Sequence, residues 1–160
     1  MKRGNFASPE TATLVIGIGN DFRKDDAAGL IAAKRLRAVA GKNVAIQEQS
    51  GEATALMEAW QGRAKVILID AAKCTGAPGT LHRFDAVKRP LPGGLLRYSS
   101  HQLSVVDAIE LARALNRLPG ELIVYGIEGK HFDAGKGLSA EVERSIPELV
   151  ERVRREISGD

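Results

Sequence analysis

The stretch LVIGIGNDFRKDDAAG, residues 14–29, limits what this chain can fold into more than any other. The apolar run Leu14-Val15-Ile16 lacks the polar alternation of a half-exposed strand, so it reads as a strand buried on both faces. Gly17 and Gly19 then allow a sharp turn and a close approach by other backbone. A short charged loop follows, and after Asp25-Asp26 the pattern becomes helical. Strand, tight turn and helix start in this order are the opening of an α/β unit. The dinucleotide fingerprint needs a third glycine and a helix N-terminus free for pyrophosphate. Here Phe22 stands at the third glycine position, and Asp25 and Asp26 would repel phosphate. The plain reading makes Asp25 a helix cap and Asp26 a favourable charge at the positive helix end. Two adjacent carboxylates exceed what capping requires, which points to a cation.

The same alternation continues along the chain. Strand patterns cover Thr11–Ile18, Val44–Gln47, Ala64–Ile69, Thr80–Phe84 and Leu122–Ile127. Helical patterns cover Asp26–Val39, Glu52–Gln61, Gln102–Leu115 and Leu138–Ile157, with Ser139 as a cap and Pro147 as an interruption. Strands alternating with helices predict an α/β sandwich with a largely parallel sheet. The link into Thr80–Phe84 is too short for a crossover helix, so that strand is expected antiparallel. Residues 1–10 read as a loose leader and residues 11–160 as one domain.

Composition excludes several roles. No apolar run approaches the ~20 residues of a membrane helix, and the leader lacks the apolar core of a secretory signal. Aromatic residues are 4% of the chain and the net charge is only +3, so stacking surfaces and a basic stripe for nucleic acid are both lacking. One cysteine, Cys74, permits no internal disulfide, which suits the cytoplasm. Cys74 has no base-bearing motif beside it and is not expected to act as a nucleophile; Cys74→Ser should retain activity.

Ligands of open α/β sheets sit beyond the carboxyl ends of the strands, at a topological switch point. Asp26 follows the first strand, Asp70 closes the central strand, and His101 opens a helix after the Pro/Gly loop. Two carboxylates and an imidazole suit a divalent transition metal with open positions left over. Each also has a plain reading: a turn cap for Asp70, a backbone-bonded helix residue for His101. His82 and His131 have no close partner at metal-ligand spacing. The long Val87–Tyr98 segment leads into His101 and is a candidate border of a substrate groove.

GIGNDFRKDDAAG, ILIDA, PGTLHRF, SSHQLSVVDAIELA, YGIEG and GLSAEVERSIPELV occur in that order. Together they resemble the hydrogenase maturation proteases over nearly the whole chain after the leader. The resemblance implies a three-layer α/β/α sandwich with a five-stranded mixed sheet. It implies an endopeptidase that removes the C-terminal peptide of a nickel–iron hydrogenase large-subunit precursor after nickel insertion. The family's metal-recognising residues fall on Asp26, Asp70 and His101. The nickel is carried by the substrate, and zinc or cadmium could take its place in vitro. A non-catalytic nickel-sensing or chaperone module of the same fold is the alternative. One departure concerns the Asp-Gly-Gly-Thr of many members. Here the region reads Gln47-Glu48-Gln49-Ser50-Gly51-Glu52, with Glu48 and Glu52 as candidates for an equivalent carboxylate.

Overall fold

A computed structural model describes residues 13–73, 76–92 and 105–159. The apolar runs form the middle of one five-stranded sheet, in the order β2-β1-β3-β5-β4. The strands are β1 (Thr13–Ile18), β2 (Val44–Gln49), β3 (Lys65–Ala72), β4 (Leu81–Asp85) and β5 (Glu121–Glu128). β1 runs parallel to β2 and β3, and β3 parallel to β5. β4 alone is antiparallel, pairing with β5 from Leu81↔Ile127 to Asp85↔Ile123.

Residue parity divides the sheet between two cores, because successive side chains leave opposite faces of a strand. Leu14, Ile16, Val66, Leu68, Leu122 and Val124 pack under helices α2 (Ala53–Trp60) and α3 (Val105–Ala114). Val15, Ile67, Ile69, Ile123, Tyr125 and Ile127 pack under α1 (Ala28–Val39) and α4 (Ala140–Ser158). This is the three-layer α/β/α sandwich. Both faces of β1, β3 and β5 are covered, which is why these strands carry no polar alternation. Each fully buried Leu or Ile contributes on the order of 1.5–3 kcal/mol.

Three elements differ from the sequence expectation. The chain before α1 is a 3-10 turn, Lys24–Ala27, so the α-helix starts two residues after Asp26. β3 runs on through Asp70 to Ala72, because β5 pairs with it as far as Ala72↔Glu128. Pro147 does not interrupt α4. It faces solvent, where water can take up the carbonyl that loses its helical donor.

Candidate functional site

The order in which strands are added reverses between β1 and β3. From β1 the chain crosses by α1 to β2 on one side, whereas β3 lies on the other. The pairing of β1 with β3 ends at Gly17↔Ile69, while β3 continues along β5. A crevice therefore opens beside Asp70, at the place where open α/β sheets bind ligands.

Two glycines hold α1 against this crevice. A methyl on Gly29 would overlap the carbonyl oxygens of Ile69 and Ile18, and one on Gly17 would overlap Gly29 and Ala33. The start of α1 thus lies directly on the ends of β1 and β3. That contact brings the 3-10 turn, and with it Asp26, over the end of β3.

Asp26 and Asp70 interact. Asp70 is 6% exposed and shares parity with Leu68 and Ala72, on the α2/α3 face. Burial, and then the charge of Asp26, hold its carboxyl well above the ordinary range. The Ala71 N–H, at 2.8 Å from Oδ1, offsets this only in part. Burial pushes Asp26 up to about 6, against the opposing charge of Arg23. The charge of Asp26 thus obstructs ionisation of Asp70. A cation held between them would relieve both effects. Among the described residues, no set of three or more His, Cys, Asp or Glu forms a metal cluster.

His101 lies outside the described residues, as do Cys74 and the leader. Of the Val87–Tyr98 segment, residues 87–92 are described: Leu91 packs into the α2/α3 core, and the Val87 carbonyl accepts from Arg113. Val105, which opens α3 four residues after His101, lies beside Gly51 at the carboxyl edge of the sheet.

Asp25 has a different role from its expected one as cap of its own helix. It is fully buried, and Oδ2 accepts the backbone N–H groups of Lys130 (2.8 Å) and His131 (3.0 Å). Oδ1 accepts the Ser139 N–H at 2.7 Å. Ser139 thus begins α4 without a side-chain cap bond, and Asp25 receives its amide instead. Burial alone would raise the Asp25 carboxyl, but the three backbone donors bring it below its ordinary value. Around it, Lys24 N–H donates to Gly135 O, and Asp25 N–H to His131 O. Arg23 Nε donates to Phe132 O at 3.1 Å. Lys24 itself adopts a left-handed φ of +48°, held by these bonds and by its ion pair with Asp133. The loop bearing Asp26 is therefore clamped to residues 129–139.

The two candidate substitutes for the absent aspartate are both engaged. Glu52 caps α2, accepting the Thr54 and Ala55 N–H groups at 2.9 Å each. Glu48 pairs with Arg37 at 2.6 Å and with Lys34 at 3.5 Å. One polar pair lies beyond what the sequence showed. Glu128, 1% exposed at the end of β5, bonds His82 Nε2 on β4 at 3.0 Å. The two lie 46 residues apart, and only their parity on adjacent strands could have joined them.

The comparisons agree with this architecture. HybD, a hydrogenase maturating endopeptidase from E. coli, superposes with a TM-score of 0.74 at 26% identity, covering 89% of each chain. The [NiFe] hydrogenase maturation protease HybD from Thermococcus kodakarensis gives 0.72 at 27% identity, covering 91% of this chain and 99% of that one. The hydrogenase expression/formation protein HupD from Thiocapsa roseopersicina is 26% identical over 141 residues. That match takes in 86% of this chain and 64% of HupD. The hydrogenase maturation protease family model matches residues 32–156, from α1 through nearly all of α4. With most of its length matched and the sheet order, crossover and end-on helix packing described above, this chain belongs to the hydrogenase maturation protease family.

Proposed function

We propose that this protein is an endopeptidase that removes the C-terminal peptide of a nickel-loaded hydrogenase large-subunit precursor, with Asp26, Asp70 and His101 recognising the metal. The observation that carries this reading is the pair of carboxylates at the β1/β3 crevice. Burial of both carboxyls, and the charge of Asp26 on Asp70, disfavour their anionic forms, and a cation there would offset this. Oxygen donors from Asp26 and Asp70, with a nitrogen donor from His101, form a set suited to a divalent transition metal.

The nickel belongs to the substrate. Asp26 and Asp70 would bind the metal-bearing end of the precursor and fix the scissile bond by proximity. Residues on the α1 loop and on β3 are well placed for this task, because sheet and clamp restrict their motion. Membrane association has no support from the helices, since none of those described is long and apolar enough to cross a bilayer.

The test is mass spectrometry of purified large-subunit precursor, nickel-loaded and nickel-free, with and without this protein. Loss of one defined C-terminal peptide from the nickel-loaded form alone is the expected result. Binding of that precursor without any cleavage would instead identify a nickel-sensing or chaperone module. Asp70→Asn should abolish cleavage while the protein stays folded.

A further inference from the structure

We infer that Phe22, with the hollow beside it, is the surface on which the folded precursor docks, taking an apolar side chain with a carboxylate next to it. This inference rests on the proposed function and adds a specificity-determining contact outside the metal-recognising residues.

Phe22 is 64% exposed, the highest value among the large exposed hydrophobic residues described, and the others are aliphatic. Single apolar side chains on a surface are ordinary. Phe22 differs in its support and its neighbours. Its N–H donates to Asn20 Oδ1 at 2.9 Å, and its carbonyl accepts the Gly135 N–H at 2.8 Å. The next four residues, Arg23 to Asp26, are the clamped segment. A rigid mount presents this ring to water, four residues ahead of a candidate metal ligand. Rigid presentation lowers the ordering cost of binding.

A hollow of about 350 Å3 adjoins the ring, with Phe22, Ala27, Ile31 and Leu138 supplying apolar walls. Its charged rim is Asp21, Lys34 and Lys136. Lys34 answers Asp21 at 3.8 Å and Glu48 at 3.5 Å. Lys136 has no acidic partner among the described residues; its ammonium stands 5.0 Å from the Phe22 ring centroid. The surplus charge of the hollow is therefore positive, and it sits on the aromatic ring. An apolar side chain would fill the hollow, and an adjacent carboxylate would meet Lys136. A peptide held by the metal-recognising residues alone would offer little area. A folded partner needs such a second contact.

The experiment compares wild type with Phe22→Ala, Lys136→Glu and Lys136→Arg, using purified nickel-loaded precursor. It reads kcat and KM for cleavage, with a thermal melt of each variant. Phe22→Ala should raise KM about tenfold or more with little change in kcat. Lys136→Glu should act in the same direction by less, and Lys136→Arg should restore the wild-type KM. If Phe22→Ala lowers the melting temperature, Phe22→Leu and Lys136→Glu decide the question in its place. Wild-type KM in both Phe22→Ala and Lys136→Glu overturns the docking surface and leaves the proposed function standing. A fall in kcat at unchanged KM also overturns it, since that marks disturbance of the Asp26 loop. A wild-type protein that does not cleave the precursor refutes the proposed function, and the docking inference with it.

Discussion

Asp25 and Asp26 are neighbours with opposite energetics. Asp25 is stabilised as an anion by three backbone donors; Asp26 and Asp70 are destabilised as anions by burial, and Asp70 also by the charge of Asp26. Asp25→Ala would remove the acceptor of three part-buried N–H groups, at ~1–3 kcal/mol for each group left unsatisfied. Its cost should exceed 3 kcal/mol by that same reckoning, read from urea unfolding. Glu52→Ala, which removes an exposed cap of α2, should cost far less. The pH dependence follows from the directions. Asp25 has a folded pKa below 3.8, so its contribution is present above that pH and is lost as pH falls through the folded value. Asp26 is raised, so the folded state holds its proton more tightly, and stability falls as pH rises from 3.8 through about 6. Asp70, raised as well, adds to that fall. Melts of metal-free protein should therefore decline between about pH 4 and 7, by the linkage of proton binding to folding. Asp70→Asn should flatten the decline and raise the melting temperature at neutral pH. An unchanged pH profile in that variant would show that the two carboxyls do not interact.

The position of α1 is the element-scale feature that assembles the site. Gly29→Ala would force α1 away from the ends of β1 and β3. Backbone shifts of this kind cost ~1–3 kcal/mol. The variant should also weaken divalent-metal binding, measured by titration calorimetry, because Asp26 moves with the helix. Gly62→Ala makes the useful control: a methyl there meets nothing within 4 Å, although its φ of +74° adds backbone strain. Much of this arrangement was legible in the sequence. The place of Asp70 at the sheet edge was legible because it directly follows an unbroken apolar run, and that of Asp26 because its loop follows another, both signals local to the chain. The extension of β3 past Asp70 was not legible, since it depends on pairing with β5, more than fifty residues away. Asp25 misled for the same reason. Its position imitates a helix cap, while its true partners lie 105 to 114 residues downstream. His82 looked isolated because Glu128 approaches it only through the antiparallel pairing of β4 with β5.

Across the whole molecule, two cores share one sheet, so neither can come apart without exposing the other's strands. Trp60, the only tryptophan, lies 1% exposed in the α2/α3 core, with its indole N–H on Arg117 O at 3.1 Å. Its fluorescence reports on one layer, whereas far-UV circular dichroism reports on all helices. Denaturant midpoints from the two probes should coincide, as they do in a single cooperative transition. Separate midpoints would show that the α1/α4 layer unfolds on its own. Polar links also join distant parts of the chain. Arg83 and Lys65 both reach Glu156, tying β4 and β3 to the last helix. The Asp25 clamp does the same for the first loop, and its consequence concerns time. During synthesis the segment carrying Asp26 leaves the ribosome long before residues 130–139 exist. A nascent chain can build β1, α1 and β3 and still lack the donors that hold Asp25 in place. The edge of the sheet that bears Asp26 therefore takes its final form late, once the start of α4 has emerged and Ser139 has met Asp25.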